Sequence, residues 1–279
     1  MHHIVDTLIE ERAQSLMRHP VVWRAVRAFI YPLLGYSRAV EMADTIRDMQ
    51  AQEVFEFLSR TLSMDVHCSG LDHIPGTGAA IIMPNHPAGI ADGIAVYDAI
   101  RSVRSDITFF ANRDAIRVSP GLADMIVPVE WVGERRSHTR RKETVRHMVK
   151  AFRDERLVVI FPSGRLAKPT VKGLIERDWQ TTAVNLALKY RCPVVPMHIR
   201  GHNSALYYLF YFIHQELRDM TLFRELLNKR DQHYQITLAE PFIAQGDVEH
   251  LTRELREFVA NELPLGAHRF DLNDRIQRN

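Results

Sequence analysis

The sequence predicts an α/β fold: a mostly parallel central sheet flanked by helices, with a helical subdomain at the N-terminal side. Three observations carry this. Residues 1–63 show apolar residues at helical spacing and no strand signal. From Met64 onward, short apolar runs alternate with amphipathic helical stretches. Several of those runs are apolar throughout rather than at alternate positions, as strands buried on both faces require. The chain therefore divides into a helical subdomain (1–63), an α/β domain (64–265) and a polar tail (266–279) expected to be loosely held.

In the first segment, Val22, Trp23, Val26, Phe29, Ile30, Leu33 and Leu34 form a broad apolar face, and Pro20 stands where a helix can begin. That face either packs on the core or lies on a membrane surface, with Arg24, Arg27 and Tyr31 at the headgroup level. Further helices start near Ser37 and Gln52. Strands are expected over 79–83, 107–111, 126–131, 157–161, 194–199 and 234–238. Between and after them, single helical faces collect Val145, Met148, Val149 and Phe152; Trp179, Ala183, Leu186, Ala187 and Tyr190; and Val248, Leu251, Leu255, Phe258 and Val259.

Composition excludes some classes of function. A net charge of +2 over 279 residues is not that of a polycation built for nucleic acid. The two cysteines, Cys68 and Cys192, are too few for a disulfide framework and lack metal-ligand spacing, so a reducing compartment is expected and no metal is read. Glu10, Glu11 and Arg12 stand where a signal peptide needs an apolar centre. The longest wholly apolar run, 205–213, is too short to span a bilayer. A cytoplasmic protein is expected, soluble or in peripheral contact with the cytoplasmic face of the inner membrane.

Chemistry concentrates where strands end. Residues 81–92 read IIMPNHPAGIAD: an apolar strand, then Asn85-His86, a flexible Pro-Ala-Gly stretch, and Asp92 near the start of a helix. In open α/β sheets, ligands bind beyond the carboxyl ends of strands. There a histidine and an aspartate can serve as a base and its orienting carboxylate. After the fourth expected strand comes Phe161-Pro162-Ser163-Gly164-Arg165, in which Gly164 allows a tight turn and Arg165 can fork onto a phosphate. Residues 134–146 (ERRSHTRRKETVR) gather Arg135, Arg136, Arg140 and Arg141, a candidate anionic-surface or donor site. They lack the interleaved aromatics of a nucleic-acid binder. The aromatic run at 205–212 reads as core, acyl-pocket wall or a patch that dips into lipid.

Taken in order, these segments resemble the glycerolipid acyltransferase superfamily, typified by lysophosphatidate acyltransferase. Asn85-His86 and Asp92 resemble its first motif, with one extra residue in the spacer. Asn112 to Val129 looks like the second motif region. Phe161-Pro162-Ser163-Gly164-Arg165 is similar to the third, with Ser163 where the family has glutamate. Val194-Val195-Pro196-Met197 is similar to the fourth. The hemolysin-type bacterial branch is closer, through Asn-His-Pro-x-Gly, a helix like that at Asp178-Trp179, and Gly201-His202-Asn203-Ser204.

The resemblance implies an O-acyltransferase that moves a fatty acyl chain from acyl-CoA or acyl carrier protein, as co-substrate, to the hydroxyl of a glycerolipid or lysolipid. No bound cofactor and no acyl-enzyme are implied. His86 would be the base and Asp92 its partner. Asn85, Gly89, Ser163, Gly164, Arg165 and Lys168 would contact substrate, and backbone N–H groups near Gly89 or Gly164 would hold the oxyanion. The other readings are a lipid- or acyl-carrier-binding protein on the same fold, and a hydrolase using the same pair on water.

Overall fold

The computed structural model describes residues 2–130, 137–171 and 173–272. Its strands are β1 (Asp65–Ser69), β2 (Ala80–Pro84), β3 (Ile107–Asn112), β4 (Ile126–Val129), β5 (Leu157–Val159), β6 (Lys168–Thr170), β7 (Gly173–Ile175), β8 (Pro193–Arg200), β9 (His233–Leu238) and β10 (Phe242–Ile243). One sheet runs β1-β9-β8-β2-β5-β3-β4, with β10 also pairing β8. From β8 to β4 every neighbouring pair is parallel; β9 turns antiparallel against β8 and carries β1 parallel to itself. The sheet is thus mostly parallel, and the carboxyl ends of β8, β2, β5, β3 and β4 share one edge.

The continuous apolar runs are explained by burial on both faces. On β2, Ala80 and Ile82 enter one core layer while Ile81 and Met83 enter the other; on β5, Leu157 and Val159 enter the first layer and Val158 the second, joined there by Ile160 just past the strand. The first layer packs the Ala51–Leu62 and Ile90–Ile100 helices on the sheet, and the second packs Thr182–Tyr190 and Val248–Glu257. All six expected strands are present.

β1, the β6–β7 hairpin and β10 were not anticipated. β1 is an edge strand whose residues alternate between exposed and half-buried, so it carries no continuous apolar run. The hairpin is short and contains Pro169 and Gly173, which read as loop.

In the N-terminal segment the apolar face divides. Val26 and Leu34 are buried, whereas Val22, Phe29 and Leu33 are exposed, Phe29 at 77%. Tyr31, expected at a headgroup level, is instead buried and stacked on Tyr36. The polar segment after Gly266 is held over its described part: Phe270 is buried against Phe242 and Phe258, and the His268 carbonyl accepts from Glu240 N–H. No helix among the described residues is long and apolar enough to cross a membrane.

Candidate active site

β2 ends at Pro84, and the next residue finishes its pairing with β8 by side chain. Asn85 Nδ2 donates to the Ile199 carbonyl at 2.9 Å, and Ile199 N–H donates to Asn85 Oδ1 at 2.6 Å. The amide stands in for one more peptide group of the ladder. The main chain is then free to leave the sheet.

The chain that leaves is organised by Asp92. This residue occupies the third position of the Ile90–Ile100 helix, where a carboxylate meets unpaired N–H groups and the positive end of the helix dipole. Its Oδ2 accepts from Ala88 N–H and Gly89 N–H, both at 2.8 Å, and from His86 Nδ1 at 2.9 Å. Gly89 adopts φ +99°, a backbone that side-chain-bearing residues rarely reach, and this lets the longer spacer curl back on Asp92. The carboxylate is fully buried, and the His86 side chain is 19% exposed. A carboxylate only accepts, so Nδ1 carries the proton and Nε2 is left to take one from a substrate. The ring leans on Phe161, with centroids 4.3 Å apart.

The Phe161-to-Arg165 segment lies at the end of β5, beside β2. Gly164 has φ +58° and donates its N–H to the Phe161 carbonyl; Ser163 is buried and its hydroxyl donates to the Arg165 carbonyl at 2.9 Å. Arg165 and Lys168 are exposed beside this turn. Ala167 N–H then donates to the His86 carbonyl at 2.9 Å, and the Leu166 side chain packs over Gly89. The two motif loops are thereby bonded to each other.

The N–H groups of Gly89 and Gly164 themselves are already engaged, by Asp92 Oδ2 and by the Phe161 carbonyl. In the basic run, acidic side chains stand beside two of the arginines nearby. Arg140 pairs with Glu130 at 2.7 Å, and Arg113 pairs with Glu143 at 2.6 Å. Arg141 is exposed on the His138–Arg153 helix after β4, separated from β2 by β5 and β3, while Arg135 and Arg136 lie outside the described residues.

Sequence reasoning missed Glu176. It follows β7 and is buried, with Oε2 accepting from His86 N–H at 3.1 Å and Oε1 from the Trp179 indole N–H at 3.0 Å. Ser163 stands where the resembled third motif has glutamate, and Glu176, 13 residues downstream, supplies a buried carboxylate to the His86 N–H. Burial pushes its pKa up, against the pull of the His86 and Trp179 N–H groups.

Beside the loop opens a cleft of about 700 Å³ whose lining includes Asn85, Pro87, Glu176, His198, Arg200 and Arg256. Burial lowers the His198 pKa, which favours the neutral ring; Arg256 is anchored to the carbonyls of Glu176 and Arg177, and Arg200 is exposed at the end of β8.

The histidine–aspartate pair thus stands at the carboxyl end of a central strand of the parallel sheet, with the carboxylate buried, and the neighbours of His86 in sequence, Asn85 and Pro87, line the cleft. Residues 65–200, just under half of the chain, match the family model described as Acyltransferase. The chain is similar to a lyso-glycine lipid O-acyltransferase of Phocaeicola vulgatus, 24% identical over 187 residues, which are 64% of this chain and 65% of that protein. The match thus spans just under two thirds of that relative's length. A protein of the same description from Bacteroides thetaiotaomicron is 22% identical over 205 residues, covering 73% of this chain and 72% of its own. In fold, the chain is similar to the crystal structure of the 1-acyl-sn-glycerophosphate acyltransferase PlsC from Thermotoga maritima, with TM-score 0.50 and 15% identity over 93% of this chain and 99% of that one.

Proposed function

We propose that the protein transfers a fatty acyl chain from an acyl thioester, acyl-CoA or acyl carrier protein, to the free hydroxyl of a lysolipid, with a lyso-glycine lipid as acceptor. The observation that carries the reading is the His86 Nδ1 to Asp92 Oδ2 bond of 2.9 Å, with the carboxylate buried and Nε2 left unengaged by it. The acceptor oxygen attacks the thioester carbonyl carbon as its proton passes to His86 Nε2. The tetrahedral adduct then collapses, the C–S bond breaks, and the proton passes from Nε2 to the departing thiolate. Asp92 holds the Nδ1–H tautomer and stabilises the imidazolium between the two proton transfers. No enzyme nucleophile is needed, because the substrate hydroxyl takes the place a serine holds in a protease.

Arg165 and Lys168, exposed beside the dyad loop, supply cations for an anionic acceptor headgroup. A glycine-lipid carboxylate suits a forked guanidinium as a phosphate would. Docking at a lipid surface is supported by the exposed Val21, Val22, Phe29 and Leu33, with Arg24 and Arg27 exposed among them.

The test is a transfer assay with lyso-glycine lipid, lysophosphatidate and other lysophospholipids, each with both thioester donors. Product should form best with the glycine lipid and fall about 10²–10⁴-fold in His86→Ala. Parent-level transfer by that variant would remove the dyad assignment. Thioester cleavage that ignores the acceptor would turn the reading to a hydrolase, and absence of product with every pair would favour a lipid-binding protein.

A further inference from the structure

We propose that Asp65, His67 and His233 form a transition-metal site, suited to Zn²⁺, that clasps the edge of the sheet beside the cleft. Asp65 and His67 are two apart on β1 and so project from the same face. His233 opens β9 and is the in-register partner of Asp65. The three side chains therefore stand together on one face of a parallel strand pair.

That face is open to solvent. Val66 and Cys68 on β1, and Tyr234 and Ile236 on β9, turn to the core instead. His67 Nε2 lies 3.1 Å from Asp65 Oδ1, and His233 Nδ1 lies 2.9 Å from Asp65 Oδ2. One donor atom from each residue falls within 4.8 Å of the others, and the two rings sit 5.0 Å apart. A tetrahedral ion bound at about 2.0–2.2 Å by two imidazoles and a carboxylate requires such a triangle.

The donor set selects the metal. Two imidazole nitrogens and one carboxylate oxygen suit zinc and its neighbours, whereas magnesium and calcium prefer all-oxygen cages. Without an ion, the carboxylate accepts from both rings, and the hydrogen bond from His233 is the main cause that lowers the Asp65 pKa. With an ion, both rings present lone pairs instead of protons, and water or an anion takes the fourth position.

The location gives the ion a consequence. β9 runs antiparallel to β8, so His233 lies at the same edge as Arg200, and it also lines the cleft that Asn85 and Pro87 bound. An ion here ties the outermost strand, β1, to β9 and adds a positive charge at the cleft rim. Sequence spacing gave no sign of it, because His233 is 168 residues from Asp65.

The experiment is a titration of the full chain with Zn²⁺ by calorimetry, with Co²⁺ as a spectroscopic reporter, alongside His67→Ala and His233→Ala. Both substitutions are at exposed positions, and circular dichroism checks that the fold is kept. About one Zn²⁺ per chain should bind and raise the Tm, and Co²⁺ should show the visible bands of a tetrahedral site. Each variant should lose at least about 10–100-fold in affinity, the range already lost when only an outer partner of a ligand is removed. Failure of the parent chain to bind would overturn the proposal. So would equal binding by the parent and both variants, which would assign the ion to others among the 14 histidines. Neither result bears on acyl transfer at His86.

Discussion

Asp92→Asn is a sharp probe of the dyad, because all three hydrogen bonds to the carboxylate end on one oxygen. His86 Nδ1, Ala88 N–H and Gly89 N–H all donate to Oδ2, while Oδ1 is buried with no hydrogen-bond partner. An asparagine that keeps its oxygen in the Oδ2 position retains every donor, and its NH₂ falls where Oδ1 was. The imidazole then keeps its proton on Nδ1, and Nε2 remains the base. In a serine-protease triad the same change reverses the tautomer and costs about 10⁴ in kcat. Here only the charge is lost. Hydrogen bonds to charged groups are worth about 1.5–3 kcal/mol and neutral ones about 0.5–1.5, so the loss is about 1–2 kcal/mol. At 1.36 kcal/mol per decade this is about 5–30-fold in kcat. Asp92→Ala should fare far worse: it strands the Ala88 and Gly89 N–H groups at about 1–3 kcal/mol each and leaves the ring unheld. Single-turnover transfer rates for the purified variants, with urea unfolding alongside, read both effects. An asparagine variant as slow as the alanine variant, near 10⁴ below the parent, would mean that the ring has turned over and that the shared-oxygen geometry is wrong.

Three further outcomes follow from the same structure. Gly89→Ala forces a side chain onto φ +99° and places its Cβ 3.3 Å from Leu166; it should cost about 1–3 kcal/mol in urea unfolding and lower kcat, and unchanged values for both would refute the role given to the glycine. Lys229 is buried, with Nζ donating to the His202 carbonyl, Asn203 Oδ1 and Glu225 Oε2, so Lys229→Met should destabilise by about 3–5 kcal/mol, whereas a shift below about 1 kcal/mol would show that the pair is dispensable. Glu176 has its folded-state pKa raised by burial, so the native state holds that proton more tightly than the unfolded chain; the stability this adds is full below the unfolded pKa and is lost as pH rises through the folded one. Unfolding free energies measured from about pH 4 to 8 should show that decline in the parent and not in Glu176→Gln.

What was legible in the sequence is what is local or repeated. The parallel strands announced themselves because burial on both faces demands unbroken apolar runs, and the dyad did because His86 and Asp92 lie six residues apart. Glu176 stayed hidden: it reaches His86 from 90 positions away, and Ile175-Glu176-Arg177 looks like any polar loop. That the N–H groups of Gly89 and Gly164 are taken by Asp92 and by the Phe161 carbonyl was also out of reach, because composition can place a glycine but cannot say which acceptor its amide has taken. The 22–34 helical face was half right for a similar reason. Periodicity reports that a face is apolar, not that something covers it.

The Asp92 cluster has a consequence for how such a site can diversify. Base, carboxylate and both backbone donors come from seven consecutive residues, so closing them costs little chain entropy. The rest of the molecule contributes a few fixed anchor points: the Ile199 backbone, the Ala167 N–H and the Glu176 carboxylate. On the proposed function, chemistry and recognition are carried by separable pieces of chain. If the proposed function holds, the hairpin, the cleft walls and the outer strands can change to suit another headgroup or donor without altering the seven residues proposed to move the proton.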